Sequence, residues 1–355
     1  MEYLQQAADI HHQVKDQIYN ILEQPHGTDL TLLELRGIIE ELITSKLIQI
    51  KSTSTPANNI TTCGLAFPIG LSVDSIVAHY TPFKMPASHL STLPYYLNPN
   101  TTLKECKLLK VDYGVHINGY IIDSAFTLDF ADTTESSTIV NASNDIVDEI
   151  IKSCGVDVRL NELSDIAIEL VSTYEVNGNP LKLVSNVYSH NIEQWKIHGG
   201  KFISLDYKDN TTFNKPLIDC KMELNEQYAI EFYATNGIGK GQLIDNKFTY
   251  SHYRLDETYY DNQRIPIFEI PKYNKIINVI SNNMKMLPFC PNFFTSYNLK
   301  VNKKNLTIHN IASSLQELHC LGYLHSYPPI IEKDPMALVA QNEKTIIIDD
   351  IVKVF

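Results

Sequence analysis

Apolar positions recur at helical spacing from residue 3 to about residue 23, and Pro25-His-Gly27 ends that stretch. A second helix is predicted from Thr31 as N-cap to about residue 46. Leu32, Leu33, Leu35, Ile38, Ile39, Leu42 and Ile43 fall on one of its faces. The Ser/Thr/Pro/Asn-rich stretch from Lys51 to Asn59 reads as a loop. The texture then changes. Leu108 to Leu128 is β-like with a turn in its middle, helices are predicted at roughly 134–153 and 160–174, and strand-like segments follow near 181–188, 196–204 and 226–235. The tail from Ala337 to Phe355 is again β-rich. Residues 253–327 are rich in Asn and Tyr with helix-like apolar spacing (Ile276, Ile277, Val279, Ile280) and read as an insertion or subdomain. Helices mixed with antiparallel-looking strands predict an α+β core.

The chain has 355 residues, 44% hydrophobic and 20% charged, which is the composition of a globular protein with a sizeable core. A net charge of −12 argues against nucleic acid or an anionic membrane as partner, because both require a basic footprint. The six cysteines, Cys63, Cys106, Cys154, Cys220, Cys290 and Cys320, are scattered without a C-x-x-C pair and read as reduced thiols. The first residues carry neither a basic region nor an apolar run, and no apolar stretch reaches the length of a membrane span, so the expected location is the cytoplasm.

Candidate chemistry is densest in Lys110-Val-Asp-Tyr-Gly-Val-His-Ile-Asn-Gly-Tyr-Ile-Ile-Asp-Ser-Ala-Phe. Asn118-Gly119 between two apolar stretches predicts a hairpin with a two-residue type I′ turn. Pairing across that turn sets residue 112 opposite 125 and 114 opposite 123, so Asp112 and Asp123 become diagonal neighbours on one face. A lone aspartate there would more often face solvent or cap a loop. Two on a shared apolar face are costly without compensation, and a divalent metal pair supplies it.

Other candidates are weaker singly. His190 and His198 lie eight residues apart, which is not a helical metal-ligand spacing; either alone would usually be a surface or hydrogen-bonded core histidine. Glu231 interrupts an apolar strand pattern, either as a ligand or as an edge residue facing water. Glu343 lies in a strand-like but locally polar stretch, and His79 precedes a Thr-Pro turn at a strand end.

Taken in order, these segments resemble the type 2 methionine aminopeptidases: Gly-Leu-Ala-Phe-Pro (64–68), Ala-His-Tyr-Thr-Pro (78–82), the hairpin of 111–127, Ser-His-Asn-Ile-Glu-Gln-Trp-Lys-Ile-His-Gly-Gly (189–200), Tyr-Ala-Ile-Glu (228–231), Ser-His-Tyr (251–253), Tyr-Pro-Pro (327–329) and Ala-Gln-Asn-Glu (340–343). The resemblance runs from about residue 8 to the C-terminus. It implies a pita-bread fold, with a curved antiparallel sheet, outer helices and a helical insertion at 253–327 within one catalytic domain, 1–355. It implies two divalent ions (Mn, Co, Fe or Zn) held by Asp112, Asp123, His190, Glu231 and Glu343, with Asp123 and Glu343 bridging. His79, His198 and Glu231 would be catalytic. Phe67, Ile197, His252 and Tyr327, with His79 and His198, would bind substrate.

The implied activity is removal of N-terminal methionine from nascent polypeptides at the ribosome by a metal-activated hydroxide, with a small second residue preferred; a monomer is the default expectation. An X-Pro aminopeptidase or prolidase on the same fold, and a non-catalytic partner-binding relative, are the competing readings. The sequence departs from the family pattern at Ser189 (usually Gly), Asn342 (usually Phe) and Lys344 (usually His). The stretch after Glu231 is two residues longer than usual, a hydrophobic loop follows Pro82, and the basic N-terminal extension of the eukaryotic members is lacking.

Overall fold

The computed structural model describes residues 1–355 apart from 54–61, 207–219, 247–248, 262–266, 298 and 302–303. Two helices open the chain, α1 (Glu2–Leu22) and α2 (Leu32–Thr53). The second helix runs past the predicted stop near residue 46 to Thr53, since Leu47 continues its buried face; the rest of the predicted loop, 54–59, lies outside the described residues. Strands β1 (Cys63–Leu65), β2 (Gly70–Val73) and β3 (Ile76–Ala78) lead to the long hairpin of β4 (Leu108–Ile117) and β5 (Tyr120–Asp129). Helices α3 (Thr134–Ser153) and α4 (Leu160–Val171) follow. Then come β6 (Ser189–Ile192), β7 (Phe202–Ile203), β8 (Gln227–Thr235), β9 (Gly241–Leu243) and β10 (His252–Leu255). Helices α5 (Pro271–Val279) and α6 (Ile308–Cys320) precede β11 (Leu324–Tyr327), β12 (Ile330–Glu332), β13 (Val339–Ile347) and β14 (Lys353–Val354).

The main sheet runs β1-β4-β5-β13-β8-β6-β7, with β2 also on β4 and β14 on β13, and all these pairings are antiparallel. The hairpin forms as predicted: Asp112 pairs with Ala125 and Gly114 with Asp123. Asn118 and Gly119 both have positive φ, at 52° and 81°, as a type I′ turn demands. Two predicted strands fall short. Of 181–188 only Lys182–Leu183 forms a strand, and of 196–204 only Phe202–Ile203 does. Between β6 and β7 the chain turns at Trp195 (φ 68°) and Gly200 (φ 106°), which breaks the extension the apolar pattern suggested.

Side-chain alternation divides the sheet into two faces. Val111, Tyr113, Val115, Ile122 and Phe126 join the core under α1 and α2, while Tyr228, Ile230, Phe232, Ala340 and Ile346 join the core under α3 and α4. The helices therefore cover one face, and positions of opposite parity, 112, 123, 231 and 343 among them, point to the other. Residues 252–327 carry a separate apolar cluster, including Tyr253, Ile276, Ile280, Phe289, Leu315 and Leu324, closed by the pairing of β10 with β11. No helix among the described residues is long and apolar enough to cross a membrane.

Candidate active site

Strand register assembles the site. Asp112 on β4 stands opposite Ala125 on β5, Ala125 opposite Glu343 on β13, and Glu343 opposite Glu231 on β8. Asp123 lies two positions along β5 from Ala125, and His190 on β6 pairs with Ala229, two positions along β8 from Glu231. One cross-sheet row and its neighbours thus bring four carboxylates and an imidazole to one place. One ligand atom each from Asp123, His190 and Glu343 lies within 4.8 Å of the others, and all three residues are buried. His190 Nε2 is 3.7 Å from Asp123 Oδ2.

Burial drives the protonation of the cluster. It raises Asp112 to about 7 and, together with the charge of Asp112, Glu231 to about 8. Asp123 is pushed well up by burial and by the charges of Asp112 and Glu231, and Glu343 by burial and by the charges of Asp123, Glu231 and Asp112. Asp123 and Glu343 also hydrogen-bond to one another, which two ionised carboxylates cannot do. The Gln341 amide donates to Glu231 Oε2 and Glu343 Oε2, each at 3.3 Å, and Asp112 Oδ1 is buried with no hydrogen-bond partner. Such a group of acids retains protons unless cations replace them. The donor set, carboxylate oxygens with one imidazole nitrogen, fits divalent cations.

The cluster forms the floor of a cleft with about 70 Å³ of free volume. Every residue that the sequence nominated lines it: Phe67, His79, Asp112, Asp123, His190, Ile197, His198, Glu231, His252, Tyr327 and Glu343. Phe67 and Ile197 form its apolar wall, backed by Ile121, Ile192, Ala229 and Leu287 of the same apolar cluster. The Phe67 ring lies against the bare Cα of Gly114, where a Cβ would stand 2.3 Å from the ring. The roof is imidazole and phenol. The His190 and His198 rings are 4.4 Å apart, and His79 lies 5.7 Å from His252 and 5.5 Å from Tyr327. Burial lowers His79 and His190 to about 4 and His198 and His252 well below the usual range, so all four are neutral imidazoles at neutral pH. His79 sits in left-handed backbone at φ 65°, an uncommon conformation for a non-glycine residue and one that recurs at functional sites. The Ser251 hydroxyl lies 3.3 Å from the His79 carbonyl and accepts the Thr81 N–H at 3.1 Å.

Sequence reasoning missed Gln341, Tyr233, Pro288 and Arg254. Gln341 is two positions from Glu343 and therefore on its face, a signal that strand parity could have supplied. Tyr233 and Pro288 line the cleft, and Arg254 bonds to Tyr327 from β10. Two of the departures from the family pattern, Asn342 and Lys344, have the opposite parity; they face the helix side, where Lys344 Nζ pairs with Asp148 of α3 at 2.5 Å.

The profile of metallopeptidase family M24 matches residues 2–247. Methionine aminopeptidase 2-2 of Aspergillus niger is 30% identical, over 99% of this chain and 72% of its own length. Methionine aminopeptidase 2 of Verticillium alfalfae is 30% identical over 82% of this chain, which spans 57% of that relative's length. Among solved structures, a thermophilic Arx1 superposes with a TM-score of 0.74 at 14% identity, covering 98% of this chain and 87% of its own. A methionine aminopeptidase of Thermotoga maritima superposes with a TM-score of 0.56 at 12% identity, covering 99% and 94%. At those identities the superpositions establish a shared fold, the pita-bread α+β arrangement. Sequence, fold and register agree that the chain belongs to metallopeptidase family M24, among the type 2 methionine aminopeptidases.

Proposed function

We propose that this chain removes the N-terminal methionine of nascent polypeptides by metal-assisted hydrolysis, with a small second residue preferred. The observation that carries the reading is the convergence of Asp112, Asp123, His190, Glu231 and Glu343 on the floor of a cleft with an apolar wall and a neutral imidazole roof. Those five residues would hold two divalent cations, Mn, Co, Fe or Zn. Bound cations supply Lewis acidity, making hydroxide available near neutral pH and polarising a carbonyl.

The remaining chemistry falls to the side chains. The free α-amine of a peptide, a neutral nitrogen donor once deprotonated, would be held at the cation site, so that only the first residue of a chain is cut. Phe67, Ile197, His252 and Tyr327 enclose the methionine side chain. Glu231, on the floor of the cleft, takes a proton from the attacking water and delivers it to the departing nitrogen. His198, neutral and buried, donates to the carbonyl oxygen as charge develops. His79 hydrogen-bonds the scissile amide. In this reading residues 253–327 are a helical insertion subdomain within a single catalytic domain, supported by their own apolar cluster. The protein would work in the cytoplasm as a monomer on chains emerging from the ribosome, without binding nucleic acid or membrane itself, in keeping with its net charge of −12.

The test is release of methionine from a Met-Ala-Ser peptide by metal-stripped protein with and without added Mn or Co. Metal-dependent release supports the reading. A folded protein that binds metal but cleaves only X-Pro peptides would instead be an X-Pro enzyme, and one that binds no metal would be a non-catalytic relative.

A further inference from the structure

The strands that carry the site are not joined by an unbroken ladder. β5 and β13 share one register pair, Ala125 with Glu343. On one side of it the Thr345 hydroxyl accepts the Asp123 N–H at 2.8 Å and donates to the Asp123 carbonyl at 2.7 Å. On the other side the Thr127 hydroxyl accepts the Gln341 N–H at 2.8 Å and donates to the Gln341 carbonyl at 2.8 Å. The arrangement repeats at the next gap. β6 stops pairing with β8 at His190, and the Ser189 hydroxyl accepts the Glu231 N–H at 2.9 Å and donates to its carbonyl at 2.7 Å. In each case one hydroxyl takes the place of two backbone bonds and satisfies both groups of its partner. The three residues so held are Asp123, Glu231 and Gln341, two candidate ligands and the amide that bonds to Glu231 and Glu343.

We propose that Thr345, Thr127 and Ser189 are positioning residues. Their hydroxyls clamp the backbone of the site residues where the sheet parts, fixing the carboxylates at the spacing a cation pair requires. The physical reason is that a strand edge left without partners would be free to shift, and a carboxylate carried on it would shift with it. A threonine hydroxyl reaches across a gap too wide for direct N–H···O=C bonds and preserves the register. Ser189 stands where the family usually has glycine, so the clamp on Glu231 depends on a side chain that glycine does not provide.

This inference rests on the metal reading above, and the experiment separates the two. Mn or Co affinity is measured by calorimetry on metal-stripped protein, beside the thermal melt of the same metal-free sample. Wild-type protein should bind two equivalents; if it binds none, the metal reading falls and the inference with it. Thr345→Val, which keeps the volume and removes the hydroxyl, should weaken binding by roughly tenfold or more, as loss of a group that orients metal ligands generally does. Thr345→Ser should recover most of that loss. Thr101→Val, which deletes the hydroxyl bond of another buried threonine (to the Tyr95 carbonyl at 2.6 Å) away from the sheet gaps, should bind like wild type. Ser189→Ala, a change toward the family's small residue and compatible with folding, should weaken binding in the same sense and lower kcat. Wild-type affinity in both Thr345→Val and Ser189→Ala would overturn the proposal, as would a Thr345→Ser no better than Thr345→Val.

Discussion

Arg254 Nε donates to the Tyr327 hydroxyl at 2.6 Å across the pairing of β10 with β11. Because the phenol oxygen accepts that charged donor, its own proton is left to point elsewhere, and the cleft with His79 and His198 is what Tyr327 lines. Arg254 also lies 3.5 Å from Glu257, which keeps the guanidinium oriented. Arg254→Met should lower kcat/KM for a Met-Ala-Ser peptide by roughly tenfold or more, the worth of a hydrogen bond to a charged group. Tyr327→Phe should have a similar effect, and the double variant should be no worse than the more damaging single one. Additive losses in that double-mutant cycle would show that the two residues act separately.

His79 lines the cleft without belonging to the carboxylate cluster. His79→Ala should therefore reduce kcat by roughly a hundredfold or more, the usual scale for a proton-transfer or hydrogen-bonding catalytic group, while metal content is unchanged. Elemental analysis beside steady-state kinetics measures both; equal loss of metal and rate would move His79 from catalysis to the metal shell.

The carboxylate cluster makes metal-free stability depend on pH in a defined direction. Burial raises Asp112 from 3.8 to about 7 and Glu231 from 4.5 to about 8, so the folded chain binds these protons more tightly than the unfolded one. That contribution is present in full at low pH, below the unfolded values, and is lost as pH rises through about 7 to 8. Cations replace the protons at the upper end. Thermal melts should show the stabilisation by Mn to be larger at about pH 8 than at about pH 6, and Asp112→Asn should reduce the difference.

A second group works in the opposite sense. His11 on α1 is buried, stacked on Tyr113 at a centroid distance of 4.1 Å, and close to the Ser124 carbonyl at 3.2 Å. Burial lowers it from 6.5 to about 3. Its contribution to stability is present above the unfolded value of 6.5 and is lost as pH falls toward the folded value. The difference in Tm between wild type and His11→Gln should therefore shrink as pH is lowered from about 7 to 4. A constant difference would mean that packing alone accounts for it.

Gly114 predicts a specificity effect. A Cβ there would meet the Phe67 ring at 2.3 Å, far inside contact distance. Gly114→Ala should displace the ring, at a cost of about 1–3 kcal/mol for overpacking, and raise KM for methionyl peptides while the metal equivalents bound stay the same. Loss of bound metal together with the rise in KM would place the effect in the carboxylates of β4 and β5 instead.

The sequence by itself determined the local parts. Asn118-Gly119 specified a two-residue turn, that turn specified which residues oppose each other, and alternation then put Asp112 and Asp123 on one face; all of this depends on contacts a few residues apart. The ordered motifs carried the rest of the ligand and cleft candidates by resemblance, and all of them line one cleft. Glu231, Glu343 and His190 were ambiguous singly, because a polar residue in a strand looks the same whether it faces water or a buried cluster. Only strand order resolved them, by setting β13 between β5 and β8 and β6 beside β8. The tertiary structure alone decided the hydroxyl clamps of Thr345, Thr127 and Ser189, the bond from Arg254 to Tyr327, and the orientation of Asn342 and Lys344 away from the cleft. Each depends on the distance between strands remote in sequence, and a gap in a sheet leaves no periodic trace in either strand that borders it.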